Sequence, residues 1–352
     1  MIDGGEAIRK LALNMARYSG LAPLAKPLVG GIGAILMLHR VSAAPCKPGS
    51  INRHLNIAPA FLDAVLADMK RSGYAFVSMD EAVERIVAGG GDGQFAAITA
   101  DDGYRDNVTE ALPVLEKYGA PITIYVAPAQ IDGTVDLWWE VVEALVDAGD
   151  RLTVPAAGGA FTLDCSTPAK KLRACVRLHD HVALEVPEHE QSALLREMAR
   201  SVGVDADAPR RSRLMGWDEL RAASAHPLVT IGAHTVNHYN LKRLAEPLAR
   251  HEVQEVRDVL ERRLQKVPRH LAYPYGFASA VGQREVGLAR EAGYVSAVTT
   301  RHGVLRPEHA DFLHALPRIS VNGRYQSVAH IRTMLSGVTT PLANAGKVVV
   351  TV

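Results

Sequence analysis

Cysteine is scarce: Cys46, Cys165 and Cys175 are the only three in 352 residues, far apart and without a C-x-x-C pair. That spacing argues against a thiolate zinc site or a disulfide framework. Aromatic residues make up only 5% of the chain. Neither sign of charge is in excess: 39 basic against 38 acidic side chains leave a net +1, so no global field draws the chain to nucleic acid. Apolar runs are short. Leu28 to Leu38 falls below the ~20 residues that a bilayer span needs and contains three glycines. The order of a secretory signal (positive, apolar, small) is missing too, because Met-Ile-Asp-Gly-Gly-Glu precedes the first basic residue, Arg9. We therefore expect a cytoplasmic protein. What the chain does have is histidine, 14 of them, within an ordinary globular composition of 48% hydrophobic and 22% charged residues. A metal bound here would be held by imidazole and carboxylate.

Near the start, Ile8, Leu11, Ala12 and Met15 recur at helical spacing with Arg9, Lys10 and Arg17 beside them. This amphipathic segment, residues 1–30, reads either as a helix packed on the domain or as a peripheral contact at the inner face of a membrane. From residue 31 to 325, short apolar runs alternate with helical patterns. Strands are expected at 34–38, 75–78, 95–100, 121–127, 228–233, 270–273, 295–299 and 316–321. Helices are expected at 59–71, 105–118, 217–224, 247–265 and 283–292. This rhythm argues for an α/β fold with a parallel sheet covered by helices. The stretch 132–213 breaks the rhythm, is rich in charge and carries helical patterns at 140–148 and 191–202. It reads as an insertion over one end of the sheet. Residues 326–352 are expected to form a C-terminal helix and tail.

Four of the expected strands end in polar residues. Phe95–Ala100 runs into Asp101-Asp102-Gly103-Tyr104. The strand ending at Ala233 runs into His234-Thr-Val-Asn-His238, the one at 270–273 into Pro274-Tyr275-Gly276, and the one at 34–38 into His39. In parallel α/β folds, ligands and catalysis gather at the carboxyl ends of strands. Taken singly, each motif has a plain structural reading. The His234/His238 spacing can aim two imidazoles at one ion, yet roughly 0.6 such pairs are expected from this composition alone. Asp101-Asp102 could cap a helix, Tyr273-Pro-Tyr-Gly could be a turn, and Trp138-Trp139 could be core. Adjacent strand-end residues diverge, so the two carboxylates need not share a role. What independent structural readings leave unexplained is the arrival of all four motifs at one edge.

The order Thr99-Ala-Asp-Asp-Gly-Tyr104, His234-Thr-Val-Asn-His238, Tyr273-Pro-Tyr-Gly276 resembles the polysaccharide deacetylases of the NodB-homology type, carbohydrate esterase family 4. The resemblance implies a distorted (β/α) barrel of seven strands and a divalent metal, Zn²⁺ first, with Co²⁺, Mn²⁺ or Ni²⁺ as alternatives. It implies Asp102, His234 and His238 as metal ligands, Asp101 as catalytic base, and Tyr275 as the residue whose backbone N–H helps hold the oxyanion. Two positions depart from the family pattern: Ala100 stands where Phe is usual, and Ala272 where Arg orients the base. Arg318 is the expected substitute for that Arg. The general-acid His motif is missing near the C-terminus, but Leu36-Met-Leu-His39 looks like that motif moved to the N-terminus. His39 then becomes the expected acid, with His314 second. Tyr104, Tyr273 and Trp138 are the expected substrate contacts. The implied reaction is hydrolysis of the N-acyl amide of an amino sugar in a glycan, oligosaccharide or lipid-linked saccharide. Two other readings stand beside it: hydrolysis of a non-sugar amide or cyclic ureide, and a catalytically idle sugar-binding module.

Overall fold

The computed structural model describes Asn14 and residues 28–352. The expected amphipathic residues Ile8, Leu11, Ala12 and Met15 lie outside the described residues. Among the described residues, no helix is long and apolar enough to cross a membrane.

Among the described residues there are twelve strands: β1 (Gly33–Leu38), β2 (Arg40–Val41), β3 (Asn56–Ile57), β4 (Ala75–Val77), β5 (Phe95–Ala100), β6 (Ile122–Val126), β7 (Arg151–Val154), β8 (Phe161–Asp164), β9 (Val229–Ala233), β10 (His270–Ala272), β11 (Ser296–His302) and β12 (Leu316–Ser320). The main sheet runs β1-β12-β11-β10-β9-β6-β5-β4, and β1 also pairs with β5. That last pairing closes seven parallel strands into a distorted (β/α)7 barrel, with β4 left outside the ring along the first half of β5. All six residues of β1 and all six of β5 are buried, as expected where helices cover one face and the barrel fills the other.

Residues alternate between two apolar clusters, as a period of two requires. Ala34, Leu36, Leu38, Ala96, Ile98 and Ala100 pack outward under the helices. Ile35, Ala97, Tyr125, Ala272, Val298 and Leu316 pack together as the second cluster. The helix Met79–Val87 supplies Met79, Ala82 and Ile86 to the same cluster. Gly232 in β9 makes room for the Tyr125 ring, because a Cβ there would come within 2.4 Å of it. Register then fixes the level of the site. Leu38 lies opposite Ala100, and Val126 opposite Ala233, so the residues that follow these strands emerge at one edge.

Three local features differ from expectation. The helix expected over 105–118 opens with a widened π-type turn, Asn107–Ala111, before Leu112–Glu116. Pro113, lacking an N–H, cannot continue a regular helical ladder there. The segment 132–213 holds more than helices: besides Trp138–Asp147, Pro168–Asp180 and Gln191–Ser201 it contains the antiparallel hairpin β7–β8. Beyond residue 325 there are two short helices, Val328–Leu335 and Thr339–Ala343, in place of one helix and a tail.

Candidate active site

Asp101 and Asp102 follow β5 directly and turn to different partners. Asp101 is 2% exposed and forms a two-pronged ion pair with Arg318: Nη1 donates to Oδ1 at 2.8 Å and Nη2 to Oδ2 at 2.7 Å. Arg318, itself 1% exposed in the middle of β12, also donates from Nε to the Thr299 carbonyl and from Nη1 to Thr99 Oγ1. Burial alone would raise the Asp101 carboxyl. The charge and hydrogen bonds of Arg318 outweigh that, and its pKa lies below the ordinary value. His39 Nε2 stands 4.0 Å from Asp101 Oδ2, with a quarter of its side chain open to solvent (24%). The β1–β5 register produces this approach, and the Asp101 N–H donates to the Leu38 carbonyl.

Asp102 faces the histidines. Its Oδ1 lies 3.4 Å from His234 Nε2 and 3.3 Å from His238 Nε2. One ligand atom from each of Asp102, His234 and His238 fits within 4.8 Å of the others, and all three residues are buried. Burial opposes charge on Asp102, but the His234 and His238 imidazoles beside it prevail and drive its pKa far down. His234 Nδ1 is engaged at 2.7 Å by the Ala272 carbonyl, which as an acceptor requires N–H there and leaves the Nε2 lone pair toward Asp102. Asp102 Oδ1 and His238 Nδ1 are buried without a hydrogen-bond partner among the described residues. Two imidazoles and a carboxylate whose buried oxygen is orphaned suit a divalent cation with a position left open for water.

The backbone around this group is strained. Asp102 (φ 71°), Thr235 (φ 58°), His238 (φ 58°) and Tyr275 (φ 61°) are four of the six non-glycine residues with positive φ among those described. Such conformations cost of order 1–3 kcal/mol each and persist where the surroundings over-determine them. At Tyr275 the surroundings are visible. Its carbonyl accepts from Thr300 Oγ1, its hydroxyl accepts from Trp138 Nε1 at 2.9 Å, and its ring lies 5.2 Å from that of His238. Its backbone N–H has no acceptor among the described residues.

The expected substrate contacts Tyr104, Tyr273 and Trp138 are all buried. Tyr104 is fully buried and its hydroxyl accepts from Trp139 Nε1 at 3.0 Å. Tyr273 is 1% exposed and spends its hydroxyl on the His314 carbonyl. Trp138 is 5% exposed, between Trp139 and the ring of His179. Tyr104 and Trp138 are tied to the site through Trp139 and Tyr275, whereas Tyr273 packs toward Glu285 and Tyr294; at 0–5% exposure none of the three offers an open ring face. His314 Nε2 is held by the Tyr294 carbonyl, so the histidine beside Asp101 is His39.

Sequence reasoning missed several supporting residues. Asn107 is fully buried and donates to the His39 carbonyl at 2.7 Å. Asp106 accepts from Arg40 Nε and from the Val41 N–H. Trp139 lays its ring 5.2 Å from His238. Only adjacency to Asp101-Asp102 could have pointed to Asp106 and Asn107, and nothing local pointed to Trp139.

An α/β barrel with two aspartates, two histidines and a third histidine at the carboxyl ends of its strands defines a hydrolase-type site. The chain belongs to the polysaccharide deacetylase family, whose model matches residues 88–154 and 185–296, half of the chain. It is thus a hydrolase acting on carbon–nitrogen bonds other than peptide bonds. Solved structures share the fold. The Streptococcus pyogenes deacetylase PplD, in complex with acetate, is 20% identical with a TM-score of 0.52, covering 86% of this chain and 97% of that one. IcaB from Ammonifex degensii is 18% identical with a TM-score of 0.54, covering 88% and 98%. The polysaccharide deacetylase BC0361 from Bacillus cereus is 16% identical with a TM-score of 0.51, covering 86% and 68%. A comparison with curated proteins finds no significant match.

Proposed function

We propose that the chain removes an N-acetyl, or another N-acyl, group from an amino sugar carried in a glycan, an oligosaccharide or a lipid-linked saccharide. The observation that carries this reading is the division of labour at the barrel edge. Asp101 is held by Arg318 beside His39, and Asp102 is held apart with His234 and His238.

Asp102, His234 and His238 would hold a divalent cation, and Zn²⁺ is the ion we assign, although Co²⁺, Mn²⁺ and Ni²⁺ suit the same donors. When bound, such an ion supplies a water of lowered pKa and polarises the acyl carbonyl. Asp101, kept ionised by Arg318, takes the proton from the attacking water. The Tyr275 N–H, without an acceptor among the described residues, donates to the developing oxyanion, a contribution of about 3 kcal/mol for one well-placed donor. His39 hands its proton to the departing amine, which leaves poorly as an anion. Arg318 donates to both Asp101 oxygens and so fixes the orientation of the carboxylate, doing from β12 what an Arg at position 272 would otherwise do.

The test is a deacetylation assay on N-acetylglucosamine oligomers beside a calorimetric titration with the same sugars. We expect turnover that a chelator abolishes and added Zn²⁺ or Co²⁺ restores. We expect His234→Ala to lose both metal and activity, and His39→Ala to keep metal and lose most of the rate. Sugar binding without turnover would make the chain an idle binding module. Activity indifferent to chelation would sink the metal reading.

A further inference from the structure

Glu252 lies on the helix Glu246–Leu264, well away in sequence from the strand-end motifs, yet it is fully buried against the His234–His238 turn. Its Oε2 accepts from the Asn237 N–H at 2.8 Å and its Oε1 from Asn237 Nδ2 at 2.5 Å. The Thr235 side chain also bonds to it, and its own backbone carbonyl accepts from the Val236 N–H at 3.2 Å. One residue therefore holds three consecutive residues of the turn between the two imidazoles. Thr235 Oγ1 in turn accepts from the His238 N–H at 3.1 Å, so the chain of bonds runs from Glu252 through Thr235 to His238.

A burial cost of this size needs a reason. Burial pushes the Glu252 carboxyl above its ordinary pKa, even against the donors from Asn237 and Thr235 that favour its charge. Two positions of the turn, Thr235 and His238, have positive φ, a conformation that residues with a Cβ adopt reluctantly. His238 has no hydrogen bond of its own at Nδ1 among the described residues, so no side-chain partner fixes its ring in the way the Ala272 carbonyl fixes that of His234. Its orientation is left to the backbone of the turn and to the rings of Trp139 and Tyr275 beside it.

We infer that Glu252 is a positioning residue for the metal centre: it clamps the strained turn Thr235–His238 so that His238 meets the ion beside Asp102 and His234. This rests on the metal reading above and adds to it a residue that touches neither metal nor substrate. The consequence is specific. Weakening Glu252 should loosen one ligand of three, lowering metal affinity while the Asp101–Arg318 pair stays intact.

The test uses the full chain stripped of metal and loaded with Co²⁺, whose visible absorption reports ligand number and geometry. Affinity is read by competition with a chelator. Two variants are compared, Glu252→Gln, which retains shape but presents an NH₂ to donors, and Asn237→Ala, which deletes one bond from a partly exposed turn residue. We expect Co²⁺ affinity to fall about 10- to 100-fold in Glu252→Gln and less in Asn237→Ala, with an altered Co²⁺ spectrum in the former. The metal-free melting temperature should move little in Asn237→Ala. Wild-type affinity and spectrum in both variants would overturn the inference, as would a fall in metal-free stability with affinity unchanged, which would make Glu252 a fold stabiliser only. Failure of the wild-type chain to bind Co²⁺ would overturn the metal reading itself and the clamp with it.

Discussion

Removing the Arg318 guanidinium would leave Asp101 as an anion at 2% exposure, with His39 4.0 Å away. Breaking a buried pair from one side costs about 3–5 kcal/mol, because the remaining charge has lost its compensation. We therefore predict that Arg318→Met destabilises the fold by that amount in urea melts. The double change Asp101→Asn, Arg318→Met should cost clearly less than the two single changes added together. Simple additivity would mean that the two groups do not depend on each other. Asp101→Asn alone should keep bound metal, as measured by metal analysis, and lose about 10²- to 10⁴-fold in kcat, the range expected for loss of a general base. Retained turnover in that variant would remove Asp101 from the reaction. Among individual residues, the Asp pair and His234 were legible because they follow an apolar strand, and His238 because it stands four positions beyond His234. Arg318 was legible only indirectly, through the Ala at 272 that left the base without its usual partner, since 217 positions separate it from Asp101.

Secondary-structure elements carry the next layer of support. The segment after β1 holds His39, and the widened turn Asn107–Ala111 reaches back to it through Asn107 Nδ2. Asn107→Ala should therefore lower kcat about tenfold, roughly one hydrogen bond's worth of placement, with metal content unchanged. A rate equal to wild type would show that the His39 loop holds itself. Farther from the site, the helix Val328–Leu335 is tied to the helix Pro59–Arg71 by Arg332, which donates from Nε to Asp68 Oδ2 at 3.2 Å. Hydrogen bonds from Arg332, outweighing burial, hold the Asp68 pKa below its ordinary value. A lowered folded-state pKa gives stability that is present above the unfolded carboxylate value of about 3.9 and is lost as pH falls through the folded value. Arg332 is largely exposed, so the effect should stay below about 1 kcal/mol. Arg332→Ala should then shrink the gap between melts at pH 6 and pH 2.5; an unchanged gap would remove Asp68 from the acid response. The strands were readable because β1, β5 and β6 are short, mainly apolar runs, with one threonine each in β5 and β6. The hairpin β7–β8 was not, because Arg151 and Thr153 alternate with Leu152 and Val154 over only four residues inside a charged stretch.

Over the whole molecule, the barrel and the segment 132–213 meet at the site. The returning end of that segment runs beside the aspartate loop, with Arg105 N–H donating to the Arg213 carbonyl and Met215 N–H to that of Gly103. Its leading end delivers Trp138 and Trp139, whose indole N–H groups go to the hydroxyls of Tyr275 and Tyr104. Nothing in a Trp-Trp pair distinguishes such a wall from ordinary core, because both bury the rings, and so the arrangement was invisible in the sequence. It has a testable consequence. Trp139→Phe keeps a ring next to His238 but withdraws the donor from the fully buried Tyr104 hydroxyl. That should cost about 1–3 kcal/mol in guanidinium melts and leave metal affinity at the wild-type level. Trp139→Ala removes the ring as well. It should cost about 3–5 kcal/mol and lower metal affinity too, because the void lets the His238 imidazole swing away from Asp102. If Trp139→Ala loses stability but binds metal as tightly as the wild type, the segment roofs the site without shaping it. If both properties fall together, the segment that interrupts the barrel pattern is part of what holds the ligands in place.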